Sequence, residues 1–224
     1  MLEIACQAET LVLLADKAVW WPATRTLIVA DVHFGKAAAF RAGGVPVPAG
    51  TTRTDLARLS ALVENTAARR IVFLGDLLHA RAGRAAATLE AIGQWRAAHA
   101  DVEMALVRGN HDRGAGDPPK AWGMRCVSRA LIEGPFAFQH EPKPHRRGYV
   151  LSGHLHPSVT LGGRAGGRLR AACYWFGKEV AVLPAFGRFT GLATVRPAPR
   201  DRVYAVGEGA VVCVAGEEPA AGHA

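Results

Sequence analysis

Apolar runs alternate with short polar blocks along this chain, and the spacing of the apolar residues changes from segment to segment. Residues 10–14 (TLVLL) and 26–30 (TLIVA) predict strands, joined by a turn around Trp20, Trp21 and Pro22. Over 51–68, Leu56, Leu59, Leu62 and Val63 recur at helical spacing, with Thr51 or Thr54 as the expected N-cap. A strand at 70–74 (RIVFL), a helix over about 84–99 and a strand at 102–107 (VEMALV) follow. This β-α-β-α-β alternation predicts a largely parallel sheet with right-handed crossovers. Beyond Asn110 the pattern shortens to β-like stretches at 130–133, 135–139, 149–152, 169–175, 179–183, 202–206 and 211–214, punctuated by Gly, Pro and Arg. These predict a second sheet packed on the first, with helices outside. One domain is expected over 1–215. The tail at 216–224 is expected to be frayed, and 142–148 and 162–168 to be basic loops.

The polar blocks sit where the apolar runs stop. They read Asp31-Val32-His33, Gly75-Asp76, Gly109-Asn110-His111-Asp112, His140 and Gly153-His154-Leu155-His156. A carboxylate or amide at the end of a buried strand is held still while its oxygens face an open cleft. Hydrolysis of a phosphate ester needs that kind of convergence. The attacking water must lose a proton near neutral pH, and charge growing on the phosphoryl oxygens must be offset. Two cations about 3.5–4 Å apart do both. Asp31 and His33 can reach one cation together, Asp76 is the natural bridge, and Asn110 offers an amide oxygen. His140, His154 and His156 complete a mixed nitrogen and oxygen shell. With no thiolate among them, the set favours Mn²⁺, iron or Zn²⁺ over softer metals. His111 is expected on the substrate side as the proton donor to the leaving oxygen, with Asp112 orienting its ring and raising its pKa.

Composition adds bounds. The 224 residues are half hydrophobic and carry a formal charge of +8, mostly through arginine, which suits phosphate contacts. An Ala-, Gly- and Pro-rich chain accumulates arginine by codon bias as well, so charge alone does not name a partner. Cys6, Cys126, Cys173 and Cys213 are widely spaced and are expected to be reduced packing residues. No apolar run is long enough to span a membrane and the N-terminus does not read as a signal peptide, so a cytoplasmic protein without membrane contact is expected.

The order D-x-H, G-D, G-N-H-D, H and G-H-x-H, over about 26–190, resembles the calcineurin-like metallophosphoesterase superfamily. The resemblance implies an α/β fold, a two-sheet β-sandwich flanked by helices in α-β-β-α layers. It also implies that Asp31, His33, Asp76 and His156 hold one metal, that Asp76, Asn110, His140 and His154 hold the other, and that His111 is the general acid. A narrower set of segments, DVHFGKAAAFRAGGVPVPAGTT, GDLLH, QHEP, SGHLHP and LPAFGRFTG, resembles the bacterial ligase-associated DNA damage response endonuclease family (PdeM type). That resemblance implies a manganese-dependent phosphodiesterase of nucleic acid in DNA repair, linked by genome context to an end-joining DNA ligase, with a ligase or helicase as repair partner. The segments GDLLHARAG and GNHD depart from the protein serine/threonine phosphatase branch, which carries Asp and Arg soon after the bridging aspartate and ends its third block in Glu.

Two alternatives stay open. A small-molecule phosphodiesterase or phosphatase, for example one acting on cyclic nucleotides, would use the same residues and is separated from a nuclease by the salt dependence of binding. A scaffold that keeps the fold without catalysis would not need to retain two metals after purification. His79, Arg113 and Lys36 are candidate substrate contacts, although solvation or packing explains each of them equally well. Phe40, Arg41 and the turn His145-Arg146-Arg147 share that ambiguity, and Phe186, Gly187 and Phe189 are expected to shape the cleft wall or core.

Overall fold

The computed structural model describes residues 1–162 and 167–216, so most of the expected tail and the tip of the 162–168 loop lie outside the described residues. The first sheet holds β1 (Leu2–Cys6), β2 (Glu9–Leu13), β3 (Ala18–Trp21), β4 (Thr26–Val29), β5 (Arg70–Phe73), β6 (Glu103–Val107) and β7 (Arg125–Val127), in that spatial order. Pairing is antiparallel from β1 to β4 and parallel from β4 to β7. Helices α1 (Lys36–Ala42) and α2 (Thr51–Thr66) connect β4 to β5, α3 (Ala86–Ala98) connects β5 to β6, and α4 (Asn110–Ala115) follows β6. The expected parallel core is therefore present, extended by an antiparallel meander. The segment around Trp20 and Trp21 is the strand β3, not a turn: Trp21 points inward against Phe136, with ring centroids 5.1 Å apart, and its indole nitrogen donates to Glu9 at 2.8 Å. Helix α2 begins as expected, but its N-cap is Gly50 in the left-handed region, and no threonine side chain caps it.

The second sheet is built from β8 (Leu131–Glu133), β9 (Phe136–Phe138), β10 (Tyr149–Ser152), β11 (Pro157–Gly162), β12 (Arg168–Phe176), β13 (Val180–Val182), β14 (Ala193–Thr194), β15 (Arg202–Gly207) and β16 (Ala210–Ala215). Its order is β14-β11-β12-β13-β10-β9-β8, with β15 and β16 added beside β12. Every residue of β4 is buried because both faces of the first sheet are covered. One face packs Leu27, Val29, Phe73 and Leu106 against Leu59, Ile92 and Trp95 of the helices. The other packs Ile28, Val72, Leu74 and Val107 against Phe136, Phe138, Leu151 and Tyr174 of the second sheet. The result is the expected two-sheet sandwich, with its core-forming helical residues all on the flank of the first sheet. The fully buried Tyr174 hydroxyl reaches across to the carbonyls of Leu14 and Ala18, at 2.7 and 2.9 Å. All four cysteines are free thiols, and no described helix is long and apolar enough to cross a membrane.

Candidate metal centre

The parallel strands β4, β5 and β6 end side by side, so the blocks that follow them meet at one edge of the sandwich. Past β4 and β5 the backbones stay joined: the N–H of His33 donates to the Asp76 carbonyl and that of Phe34 to the Leu77 carbonyl, both at 2.8 Å. From the second sheet, His140 follows β9, and His154 and His156 follow β10. Asp31, His33, Asp76, His154 and His156 all have positive φ, between 49° and 72°. Each such residue costs about 1–3 kcal/mol and persists only where its surroundings hold it, as functional sites do. The glycines of the blocks make room for these residues. A Cβ on Gly109 would lie 2.1 Å from Asp76 Oδ1, one on Gly75 2.3 Å from His140 Nδ1, and one on Gly153 2.5 Å from Asp31 Oδ2.

All seven expected ligands converge. Around Asp31, the His156 Nε2 lies 3.8 Å from Oδ2, and His33 Nε2 lies 3.4 Å from His156 Nε2 and 3.8 Å from Asp76 Oδ2. Around His140, its Nε2 lies 2.9 Å from Asn110 Oδ1, 3.0 Å from His154 Nδ1 and 3.6 Å from Asp76 Oδ2. A carbonyl only accepts, so His140 Nδ1, 3.0 Å from the Leu74 carbonyl, is the donor of that hydrogen bond. Its Nε2 is the ring nitrogen left facing Asn110, His154 and Asp76. His156 is set in the same way, its Nδ1 donating to the Gly191 carbonyl at 3.2 Å. These orienting carbonyls belong to the backbone and leave no signal in the sequence.

Electrostatics favour the neutral imidazoles. Burial, helped by Lys36, lowers His33 to about 2. Burial lowers His156 to about 4, against the opposing bond to Gly191, and lowers His154 with help from His140. Asp31 is pushed well above the usual carboxylate range, first by burial and then by Asp76, while the N–H of His154, 2.7 Å from Oδ2, pulls the other way. Its Oδ1 is buried without a hydrogen-bond partner, an expensive state for a carboxylate oxygen unless a cation faces it. Ligand atoms of Asp31, His33 and His156, and of Asp31, Asp76 and His140, fall within 4.8 Å of one another. This donor set, with imidazoles kept neutral by burial and a buried carboxylate oxygen lacking a partner, fits two divalent cations.

His111 stands at the rim, its Nε2 4.0 Å from Asp76 Oδ2. Its ring is oriented by the His79 carbonyl, 2.7 Å from Nδ1, and not by Asp112. Asp112 points away, and its carboxylate accepts four backbone N–H groups: Asp76 at 2.7 Å and Gly109 at 2.8 Å on Oδ2, Leu77 at 3.0 Å and Leu78 at 3.3 Å on Oδ1. It is a clamp that holds the Gly75-Asp76 turn to the start of α4. The His79 ring stacks on His111, with centroids 4.8 Å apart, and its Nδ1 lies 3.4 Å from His33 Nδ1. Those three histidines form a third cluster of ligand atoms. Burial lowers His79 to about 4. Lys36 opens α1, its ammonium 5.9 Å over the Phe40 ring, which in turn sits 6.2 Å from the half-exposed Phe189. Arg113 is exposed on α4 and faces a groove beside His140.

Among solved structures, a nuclease of Pseudomonas putida, MPE, is 44% identical over 95% of this chain and 99% of its own, with a TM-score of 0.84. A phosphoesterase of E. coli, Yfce, is 14% identical over 85% of this chain and 98% of its own, with a TM-score of 0.42. No curated protein matches. The family model described as calcineurin-like phosphoesterase matches residues 24–159. The matched residues run from just before β4 into β11 and contain every block that meets in the cleft, so the chain belongs to the calcineurin-like phosphoesterase family of metal-dependent hydrolases.

Proposed function

We propose that the chain hydrolyses phosphodiester bonds of nucleic acid, with residues 1–215 acting as one catalytic domain. The observation that carries this reading is the likeness, over nearly the whole chain, to a protein described as a nuclease. Two features of the molecule support it. The site opens at the surface, where Asn110 and His154 are exposed and His111 is 38% exposed, and the chain carries a net +8 charge. A polyanion is drawn to such a surface.

In this reading Asp31, His33, Asp76 and His156 would hold one divalent cation, and Asp76, Asn110, His140 and His154 would hold the other. Cations bound there would supply acidity to the attacking water and positive charge to offset that on the phosphoryl oxygens. His111 donates a proton from Nε2 to the leaving oxygen, while the His79 carbonyl keeps Nδ1 engaged so that Nε2 faces the cleft. Asp112 keeps Asp76 in place through the backbone. Lys36, His79 and Arg113 are the substrate contacts. The segments shared with ligase-associated endonucleases extend the reading to manganese as the metal, to DNA repair in the cytoplasm and to a ligase or helicase partner.

The test is Mn²⁺-dependent cleavage of circular single-stranded DNA, with Asp76→Asn as control. A circle has no ends, so linear product from the wild type and none from the variant supports an endonuclease at this site. An intact circle beside steady turnover of bis-p-nitrophenyl phosphate overturns the endonuclease reading, and linear single-stranded, duplex and RNA oligonucleotides left intact as well would overturn the nucleic-acid reading and leave a phosphodiesterase of small substrates.

A further inference from the structure

A groove of about 380 Å³ adjoins the candidate metal centre, with His140, Arg113 and Arg129 among its lining residues. Its walls are fixed by hydrogen bonds. Gln139 Nε2 donates to the carbonyls of Glu141 and Lys143, at 2.7 and 2.6 Å. Arg108, which also lines it, binds both oxygens of Asp117, at 2.6 and 2.8 Å, and the hydroxyl of Ser128 at 2.9 Å. The charges of the walls are spent within them: Arg108 on Asp117, and Lys143 on Glu141 at 2.6 Å. Arg113 and Arg129 are different. Both are exposed, and among the described residues neither makes a hydrogen bond or an ion pair, although Arg113 lies within the field of Glu141. Two uncommitted guanidiniums therefore line the same groove as His140, a candidate metal ligand. Guanidinium recognises phosphate oxygens through paired N–H groups, and an arginine engaged by no carboxylate gives up no partner on binding.

We propose that this groove seats the phosphodiester backbone on one side of the scissile bond, with Arg113 and Arg129 each engaging a phosphate. The inference rests on the nucleic-acid reading above. A small diester is too short to fill both the metal centre and the groove, so only a polymer draws on the two arginines.

The experiment uses Arg113→Gln/Arg129→Gln and a control of equal net charge, Arg196→Gln/Arg200→Gln, which lies outside the groove. Binding of a fluorescent single-stranded oligonucleotide is followed by anisotropy across salt concentrations, with each pair placed in an Asp76→Asn background to prevent cleavage. Without that background change, kcat/KM is compared for the oligonucleotide and for bis-p-nitrophenyl phosphate. The groove pair is expected to flatten the slope of log affinity against log salt by about 1.4, or about 0.7 for each phosphate contact on a single strand. The ratio of oligonucleotide to small-diester kcat/KM should fall at least about tenfold, as expected for lost charge-assisted contacts. The control pair should leave both unchanged. If the control flattens the slope equally, a general positive field is at work and the groove is overturned. The subsite also falls, with the nucleic-acid reading intact, if the wild type binds and cleaves the oligonucleotide and the groove pair changes neither readout. An Asp76→Asn protein that shows no salt-dependent oligonucleotide binding, with the wild type still hydrolysing the small diester, overturns both readings together.

Discussion

Replacing Asp112 by Asn isolates what that residue does. The carboxylate is 2% exposed and accepts from Asp76 and Gly109 on one oxygen and from Leu77 and Leu78 on the other. Asn has nearly the same shape but only one accepting oxygen. Whichever way the amide turns, its NH₂ group faces two backbone N–H donors. Two charge-assisted bonds are then lost, each worth about 1.5–3 kcal/mol, for a total of about 3–6 kcal/mol. Burial pushes the Asp112 carboxyl up while the N–H donors pull it down, so the low end of that range is the better expectation. With a urea slope of about 3 kcal/mol per molar, the midpoint of the chelated protein should fall by about 1–2 M. Urea unfolding followed by fluorescence in EDTA gives the number. Because the clamp carries Asp76, small-diester turnover and Mn²⁺ affinity should fall together. An Asp112→Asn variant of wild-type stability and metal content, with activity lost through a displaced pH profile, would refute this reasoning and return Asp112 to His111.

Further outcomes follow from the same geometry. Gly109→Ala places a methyl 2.1 Å from where Asp76 Oδ1 now sits; turnover should drop by about 100-fold or more, with weaker Mn²⁺ binding by calorimetry, and full activity would contradict the packing. His111→Ala should lose about 10²–10⁴-fold in turnover with both metals retained by elemental analysis, whereas metal loss in step with activity would make His111 a ligand. In the chelated protein, His33 is held neutral to about 2 and His156 to about 4, while the unfolded chain protonates both near 6.5. The unfolded state therefore binds more protons below 6.5, so stability should fall as pH drops from 6.5 toward 4. His33 alone contributes about 1.4 kcal/mol per pH unit over that window. The raised Asp31 and Asp112 offset part of this, and a urea midpoint that rises on acidification would show that they dominate. Restoring Mn²⁺ at 100 times its Kd should stabilise the native state by about 2.7 kcal/mol, read as a higher melting temperature, and an unchanged melt would argue against the native fold binding the ion.

Sequence pattern locates elements where one face persists and fails where pairing partners are remote. Helix α2 and strands β4, β5 and β6 are legible because their apolar spacing is set by burial on known faces. Strand β3 reads as a turn because Pro22 follows two tryptophans, yet pairing with β2 and β4 holds it extended. Strands β7 and β14, three and two residues long, have no room for a period at all and exist because β6 and β11 supply their hydrogen bonds. The expected contact between Asp112 and the His111 ring fails for a different reason. The two are neighbours in sequence, but on α4 consecutive side chains do not face each other. Adjacency suggests a contact that helical geometry forbids.

The convergence of the seven candidate ligands, by contrast, is legible, and the glycines explain why. Gly75 makes room for His140, Gly109 for Asp76, and Gly153 for Asp31. In each pair the glycine belongs to one block and the ligand to another. The blocks are thus interlocking seats, each lacking a Cβ where the next ligand arrives. This is why G-D, G-N-H-D and G-H-x-H appear as units rather than as isolated ligands. It also constrains how the site can change. A candidate ligand can be replaced by another side chain of similar reach at the cost of its own donor atom, but a methyl on any of these glycines displaces a candidate ligand in a different block. In the proposed two-cation arrangement damage would then reach both positions through Asp76, whose charge already opposes that of Asp31 across the cleft.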